Sequence, residues 1–192
     1  GNQEAAREAL QAYPAGLQLG GGIDRDNATT WINQGAAQVI VTSHLYVDGR
    51  LQRDRLETLA AAVGRDRLTV DLSCARVGAS LVAMTNRWQQ PTDLEINADN
   101  LEMLANFCSQ FLVHATEVEG KQQGIAADVV ELLGDVAPVP TTYAGGIHSF
   151  AEIELIDKLS HGRLDFTVGS ALDIFGGRGI KYRDLVAFNR SH

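Results

Sequence analysis

The chain has 192 residues, of which 45% are hydrophobic and 21% charged, and its formal net charge is −8. This composition is typical of a globular protein with a sizeable core and not of a disordered chain, and no stretch approaches the ~18 apolar residues of a membrane helix. The acidic balance and the lack of a Lys/Arg cluster argue against nucleic-acid binding, although backbone amides can still hold phosphate.

Helical and strand patterns alternate along the chain. Apolar residues at helical spacing, followed by stop residues such as Gly64, predict helices, and the Val39-Ile40-Val41 run is typical of a buried parallel strand. Asn2 is a plausible helix cap, and Ser149 with Glu152 forms a capping box. In order, we predict helix 2–13, strand 17–19, helix 26–34, strand 38–42, helix 51–63, strand 68–72, a helix from 97 or 99 to about 109, strand 111–115, helix 125–133, strand 139–143, helix 149–159, strand 164–168 and helix 182–189.

This order, one helix and then six strand–helix units, predicts a parallel sheet. Because no linker or change in composition interrupts it, we expect a single domain over residues 1–192. Residues 73–94 fit no unit, and we interpret them as a long ordered loop that carries Trp88. Such loops after strands often hold functional residues.

A strand followed by a glycine turn occurs twice, as Gly20-Gly21-Gly22-Ile23 and as Ala144-Gly145-Gly146-Ile147. Each copy continues through a helix to a strand that ends at a small polar residue, 21 positions from Gly22 to Ser43 and 24 from Gly146 to Ser170. These pairs can be plain tight turns, but the duplication favours two phosphate clamps, since glycines let backbone N–H groups approach an anion. The predicted phosphate-binding residues are Gly21, Gly22, Thr42, Ser43, Gly145, Gly146, Gly169 and Ser170.

The repeated clamp favours a closed (β/α)8 TIM barrel over an open sheet, since such barrels often bind phosphate on the loops after late strands. Barrels of this type have about 250 residues, roughly 30 per unit, so the chain is about two units short. We therefore expect an α/β, incomplete TIM barrel with six of eight βα units, the first two missing at the N-terminus. Cys74 and Cys108 form no CxxC motif, and residues 1–4 do not resemble a signal peptide, so we expect a cytoplasmic protein without a disulfide or zinc site.

A further set of segments occurs in an order seen in a known family. The segments are 20–23, 41–43, 70–74, 88–89, 114–120, 143–146 and 168–177. Together they resemble the phosphoribosylformimino-5-aminoimidazole carboxamide ribotide isomerases of histidine biosynthesis. The Asp71-Leu72-Ser73-Cys74 segment is most similar to the eukaryotic branch. The resemblance covers essentially the whole chain.

The resemblance implies an isomerase on a TIM barrel that catalyses an Amadori rearrangement, from an aminoaldose to an aminoketose. The implied substrate is a small molecule with a phosphate at each end, which agrees with two clamps. No metal or organic cofactor is expected. Nor do we expect a nucleic-acid or membrane partner, and we expect a monomer.

The family uses two carboxylates, one on the first barrel strand and one on the fifth, as acid and base. Asp71 is the fifth-strand candidate, although many bacterial relatives carry the acid two positions later, where this chain has Ser73. The first-strand aspartate has no counterpart. Thr116 matches a substrate-contacting threonine, and Trp88 resembles a loop tryptophan that covers the imidazole of the substrate.

Simpler interpretations stand beside these. In these interpretations Thr116 simply forms a hydrogen bond with the backbone, and Trp88 anchors its loop. His114 is expected to be a core histidine. A Gly146→Val change is expected to weaken ligand binding without much effect on folding. Two other functions stay open: the sister cyclase of the pathway, imidazole glycerol phosphate synthase, and a non-catalytic bisphosphate-binding half-barrel module.

Overall fold

The computed structural model describes residues 2–118 and 124–191. In chain order, its strands are β1 (Gln18–Gly20), β2 (Gln38–Val41), β3 (Tyr46–Val47), β4 (Arg50–Leu51), β5 (Leu68–Asp71), β6 (Cys74–Val77), β7 (Ser80–Thr85), β8 (Gln90–Glu95), β9 (Gln110–His114), β10 (Thr141–Ala144) and β11 (Leu164–Thr167). The α-helices are α1 (Gln3–Ala12), α2 (Ala28–Asn33), α3 (Arg53–Val63), α4 (Ala98–Ala105), α5 (Ala127–Val136), α6 (Phe150–Leu159) and α7 (Tyr182–Ser191). Short 3-10 helices cover Ser43–Leu45, Arg65–Arg67 and Asp173–Phe175.

Six strands form the central sheet, in the order β1-β2-β5-β9-β10-β11. Every neighbouring pair is parallel, so the predicted α/β class is confirmed. Neighbours in the sheet follow chain order without the reversal that defines a doubly wound sheet. As a result the carboxyl ends of all six strands meet at one edge.

The sheet curls, and polar side chains line its concave face near the start of the strands. Gln18 donates a hydrogen bond to Gln110, although β2 and β5 lie between their strands. On a flat sheet those strands would be about 14 Å apart, at ~4.8 Å per neighbour, which is too far for two glutamine side chains. Thr69 and Thr142 extend this layer through bonds to Gln38 (2.9 Å) and Gln110 (3.1 Å).

The convex face of the sheet is apolar and belongs to one continuous core with the helices. Along β2, Val39 and Val41 are fully buried, while Gln38 and Ile40 are partly exposed. This is the alternation of a strand with two different faces. Burying one such side chain contributes about 1.5–3 kcal/mol. The helices supply buried leucines to the same core: Leu56, Leu59, Leu101, Leu104 and Leu133.

Residues 73–94 are not a loop as predicted from the sequence. They form most of an antiparallel sheet of β6, β7 and β8. It joins the end of β5 through a hydrogen bond from the Met84 N–H to the Ser73 carbonyl (2.6 Å). Half of the residues of β6 and of β8 are exposed, so these two strands lack the continuous apolar run that is typical of a buried parallel strand. Strand β7 has no exposed residue and is apolar from Leu81 to Met84.

The β3–β4 hairpin holds this small sheet against the edge of the central one. The Leu51 N–H donates to the Asp93 carboxylate (2.8 Å), and the Asp93 N–H donates to the Gly49 carbonyl (2.9 Å). Gly49 has φ +75°, and an added Cβ would lie 3.0 Å from the Pro91 carbonyl oxygen, so the turn requires glycine.

Helix starts agree in part with the predictions. The capping box of Ser149 and Glu152 is confirmed, and Asn97 caps α4 by accepting from the Asn100 N–H at 3.0 Å. Asn2 precedes α1, but its side chain makes no capping bond. Helix α3 begins at Arg53 rather than 51, because Leu51 pairs in β4. Within the described ranges, no helix is both long and apolar enough to span a membrane.

Candidate active site

Three strand ends converge on the carboxylate of Asp71, which is 14% exposed. Its Oδ2 accepts from the Thr42 hydroxyl at 3.2 Å, from the end of the neighbouring strand β2. Its Oδ1 accepts from the Ser73 hydroxyl at 3.1 Å and lies 3.2 Å from the His114 Nδ1 at the end of β9. This meeting of side chains follows from the parallel order of β2, β5 and β9.

Ser73 and Asp71 lie on the same face of their strand, as the spacing of two predicts. Ser73 is buried and donates a hydrogen bond to Asp71, so it supports the carboxylate. Asp71, at the end of β5, is therefore the candidate catalytic carboxylate of this strand.

The position of His114 corrects the expectation of a core histidine. Its side chain is 25% exposed, its Nδ1 faces Asp71, and its ring lines a cleft at the edge of the sheet. The sequence carried one overlooked signal: His114 ends a parallel strand, and such ends collect functional side chains.

Trp88 lies beside this histidine, with the two ring centroids 6.4 Å apart. It belongs to the turn between β7 and β8, where Asn86, Arg87 and Trp88 all have left-handed φ values between +52° and +67°. Non-glycine residues rarely adopt this conformation, and such strained positions cluster at functional sites. The indole is 44% exposed, so it is not simply buried as an anchor.

The second glycine turn forms a small cleft next to His114, with a volume of about 170 Å³. Four predicted phosphate-binding residues meet there, and the walls are His114, Ala144, Gly145, Gly146, Ile147, Thr167, Gly169 and Ser170. Apart from His114, none of the described residues that line the cleft has a titratable side chain, so N–H groups and hydroxyls dominate this part of its surface. Such a cradle suits an anion.

Glycine is required in this turn, and the expectation for Gly146→Val is wrong. Gly146 has φ +74°, and an added Cβ would lie 1.9 Å from the Gly124 carbonyl oxygen. Gly145 has φ +132°, and its Cβ would lie 3.0 Å from the Ala115 oxygen. A side chain at Gly146 would therefore damage the fold itself, whereas a Cβ at Gly169 meets nothing within 4 Å.

The first glycine turn is more open. Gly21 and Gly22 are exposed with positive φ, and Ser43 is exposed at the end of the neighbouring strand. Thr42, predicted for phosphate, donates to Asp71 instead. Helix α2 has only six residues and begins two residues later than predicted. The nearest depression, about 430 Å³, is lined by charged groups and includes none of these predicted residues.

Thr116 follows β9 but is directed toward β6. Its hydroxyl and its N–H both donate to the Cys74 carbonyl at 3.0 Å. This bonding corresponds to the simpler interpretation of a strand-end threonine. A substrate contact by Thr116 stays a prediction.

The Cys74 thiol and the Tyr46 hydroxyl, which lie near Asp71, are uncharged at neutral pH. Burial raises the pKa of the Cys74 thiol to about 12, and the charge of Asp71 adds to the effect. Burial also raises the pKa of the Tyr46 hydroxyl, again with a contribution from Asp71. Both cysteines are free and buried, so Cys74 is a poor nucleophile.

A supported carboxylate beside a glycine-walled cleft, at the carboxyl edge of parallel strands, is typical of enzymes that bind anionic metabolites. The profile of the histidine biosynthesis protein family matches residues 1–177. The chain belongs to this family.

Relatives refine the comparison. The chain is 46% identical, over 188 residues, to the chloroplastic 1-(5-phosphoribosyl)-5-((5-phosphoribosylamino)methylideneamino) imidazole-4-carboxamide isomerase of Medicago truncatula. It is 47% identical over 197 residues to the isomerase of the same name from Yarrowia lipolytica, and 45% identical over 195 residues to that of Saccharomyces cerevisiae. Each match covers 98% of this chain. The resemblance to these isomerases is thereby confirmed.

The relatives are longer than the chain. It spans 60% of the length of the Medicago protein, 75% of the Yarrowia protein and 74% of the Saccharomyces protein. These relatives are named as isomerases, and none of the three is named as the cyclase or as a binding module.

Proposed function

We propose that the chain forms the catalytic edge of a histidine-biosynthesis isomerase that converts a bisphosphorylated aminoaldose to the aminoketose. The observation that carries the proposal is the Asp71 carboxylate, which lies within hydrogen-bond distance of side chains at the ends of three strands. One of these side chains, His114, also lines the glycine cleft. The relatives are named as isomerases of an imidazole-4-carboxamide compound with two phosphoribosyl groups, and the conversion of an aminoaldose to an aminoketose is what the family resemblance implies.

The proposed fold is a TIM barrel of which this chain contributes six units. The strand order without reversal and the curl of the sheet favour this fold over an open sheet. Two further βα units would then lie between β11 and β1. The length of the Yarrowia and Saccharomyces proteins, of which the chain spans 75% and 74%, is consistent with that number.

The rearrangement needs only proton transfers. An acid protonates the ring oxygen of the aminoaldose as its bond to C1 breaks, and the nitrogen lone pair forms the Schiff base. A base then removes the proton from C2, which gives an enolamine, and reprotonation at C1 with loss of the hydroxyl proton at C2 gives the ketone. We assign one of these transfers to Asp71, because carboxylates on opposite sides of the ribose suit such chemistry.

The other carboxylate would come from the first strand of the complete barrel, as in the family. Gly145, Gly146, Gly169 and Ser170 would hold one phosphate of the substrate. Gly21, Gly22, Thr42 and Ser43 would hold the other, through N–H groups and the Ser43 hydroxyl. We further propose that Trp88 covers the imidazole ring of the substrate, and that the reaction takes place in the cytoplasm.

Turnover of the aminoaldose by the complete barrel, in which the two further βα units accompany this chain, tests this proposal. Asp71→Asn keeps the size of the side chain but cannot exchange a proton, so we expect kcat to fall about 10²-fold or more. Asp135→Asn, at an exposed site on α5, is the matched control and should leave the rate unchanged. The same chain is assayed for ammonia-dependent cyclisation.

The outcomes separate the candidates. Aldose-to-ketose conversion that depends on Asp71 supports the isomerase. Cyclisation would assign the chain to the sister enzyme, and tight bisphosphate binding without either reaction would favour a binding module. Full activity of Asp71→Asn would contradict the role of this carboxylate.

A further inference from the structure

One side chain connects the two parts of the candidate site. The His114 ring lies 3.2 Å from Asp71 through Nδ1, and it also lines the cleft formed by the second glycine turn. Asp71 itself does not line that cleft. The register explains the contact, because Asp71 pairs with Leu112, and His114 is two residues further along on the same face of β9.

We propose that His114 is a positioning residue, which aligns the Asp71 carboxylate with a phosphate-bearing ligand in the glycine cleft. The inference rests on the proposed isomerase function and extends it to a residue for which the sequence predicts only a core role. A hydrogen bond from the His114 Nδ1–H to Oδ1 fixes the rotation of the carboxylate. Thr42, at the end of β2 on the other side of β5, donates to Oδ2.

The geometry distinguishes alignment from a purely structural role. Without His114, Asp71 would still accept from the hydroxyls of Thr42 and Ser73, so no buried carboxylate is left unsatisfied. The expected loss of stability is therefore small. Misplacement of a reacting group by about 1 Å can, however, reduce the rate by as much as ~100-fold.

The test compares two substitutions in the full chain. His114→Asn places an amide N–H close to the position of Nδ1, whereas His114→Leu has no donor. We expect His114→Leu to lower kcat by about 10- to 100-fold, with a smaller change in KM. His114→Asn should retain kcat within about fivefold, because the hydrogen bond is restored. His161→Asn, at a side chain 72% exposed, is the control and should behave as wild type.

A second measurement needs neither turnover nor a folded variant of His114. The ¹⁵N NMR signals of the imidazole in the wild-type chain report which ring nitrogen carries the proton. We expect a protonated Nδ1 whose signal shifts in Asp71→Asn. A ring with an unprotonated Nδ1 at neutral pH would overturn the proposal.

The kinetic outcomes are equally distinct. Wild-type kcat in His114→Leu, or equal losses in the leucine and asparagine variants, would show that donation to Asp71 does not matter. If the complete wild-type barrel, with the two further βα units present, has no turnover, the proposed function fails and this role fails with it. If His114→Leu lowers the melting temperature substantially as well as the rate, the residue has a structural role instead.

Discussion

Hydrogen bonding around Asp71 divides its two oxygens between different strands. Thr42 from β2 donates to one oxygen, while Ser73 and His114 converge on the other. Since all three neighbours can donate, the carboxylate is held as an acceptor. Preorganisation of this kind matters for acid–base chemistry because the reacting group is already oriented before the substrate arrives.

Two glycines of the same cleft differ in what they tolerate. A Cβ added at Gly169 would meet no atom within 4 Å. Gly146 has φ +74°, and a Cβ added there would lie 1.9 Å from a backbone oxygen. We expect Gly169→Ala to keep the stability of the wild type while weakening phosphate affinity by up to about tenfold, which is ~1.4 kcal/mol. Isothermal titration with inorganic phosphate measures the affinity.

Gly146→Ala serves as the contrasting variant. Its unfolding free energy should fall by about 2 kcal/mol or more, since left-handed φ alone costs an alanine about 1–2 kcal/mol and the clash adds to this. Urea unfolding measures the change. If Gly146→Ala proves as stable as the wild type, the close approach of the Gly124 backbone is wrong.

At the scale of elements, the antiparallel sheet of β6, β7 and β8 covers the carboxyl edge of the central strands. It carries Trp88 to His114, and the bond between Arg76 and Asp128 fastens β6 to the start of α5. This small sheet therefore connects the Asp71 side of the site to helix α5.

The pair of Arg76 and Asp128 makes stability depend on acid pH. The hydrogen bond from Arg76 is the largest cause that lowers the pKa of Asp128 below its ordinary value, with burial opposing it. A carboxyl whose pKa is lowered by folding contributes stability above its unfolded pKa and loses it as pH falls through the folded value. The window therefore lies below about pH 4.

We expect Arg76→Gln to cost at most about 1 kcal/mol at pH 7, because both side chains are about half exposed and water screens the pair. The difference from the wild type should be smaller at pH 2.5 than at pH 7. Urea unfolding at both pH values measures it. A difference that persists unchanged at pH 2.5 would mean that the pair is not its cause.

Sequence periodicity was sufficient for the central sheet but not for the small one. Runs such as Val39-Ile40-Val41 predict buried parallel strands because both faces are apolar. Half of the residues of β6 and of β8 are exposed, and Gly78 and the left-handed turn at Asn86–Trp88 separate the three strands. Their pairing depends on tertiary contacts with Ser73 and Gly49, which local sequence does not encode.

The site was predictable in its residue types and less so in its contacts. Asp71 could be inferred because a carboxylate that is buried without a partner is costly, and the second glycine turn could be inferred because the pattern occurs twice in the chain. His114 could not be distinguished from a core histidine without the register of β5 and β9. For the same reason, the bond from Thr42 to Asp71 was not foreseen.

At the scale of the whole molecule, the sheet order sets the direction in which a ligand would lie. The first glycine turn follows β1 and the second follows β10, near opposite edges of the curled sheet, while β5 and β9 lie between them. A molecule that reaches both turns must therefore pass Asp71 and His114. This arrangement gives a physical reason for a phosphate at each end of the proposed substrate.

The open edges of the sheet bear on the same proposal. Strands β1 and β11 each have one neighbour in the sheet among the described residues, and exposed edges favour association with other chains. Two further units of a barrel would cover both edges. The concave polar layer of Gln18 and Gln110 would then become part of the barrel interior.

A crystal structure of the chain with the bisphosphorylated aminoketose bound tests the joint use of Asp71 and the glycine cleft most directly. We expect one phosphate against the N–H groups of Gly146, Gly169 and Ser170, and the carbons that exchange protons in contact with the Asp71 carboxylate. A ligand whose phosphates both lie outside the two glycine turns, or whose C1 and C2 lie beyond reach of Asp71, would contradict the proposed site.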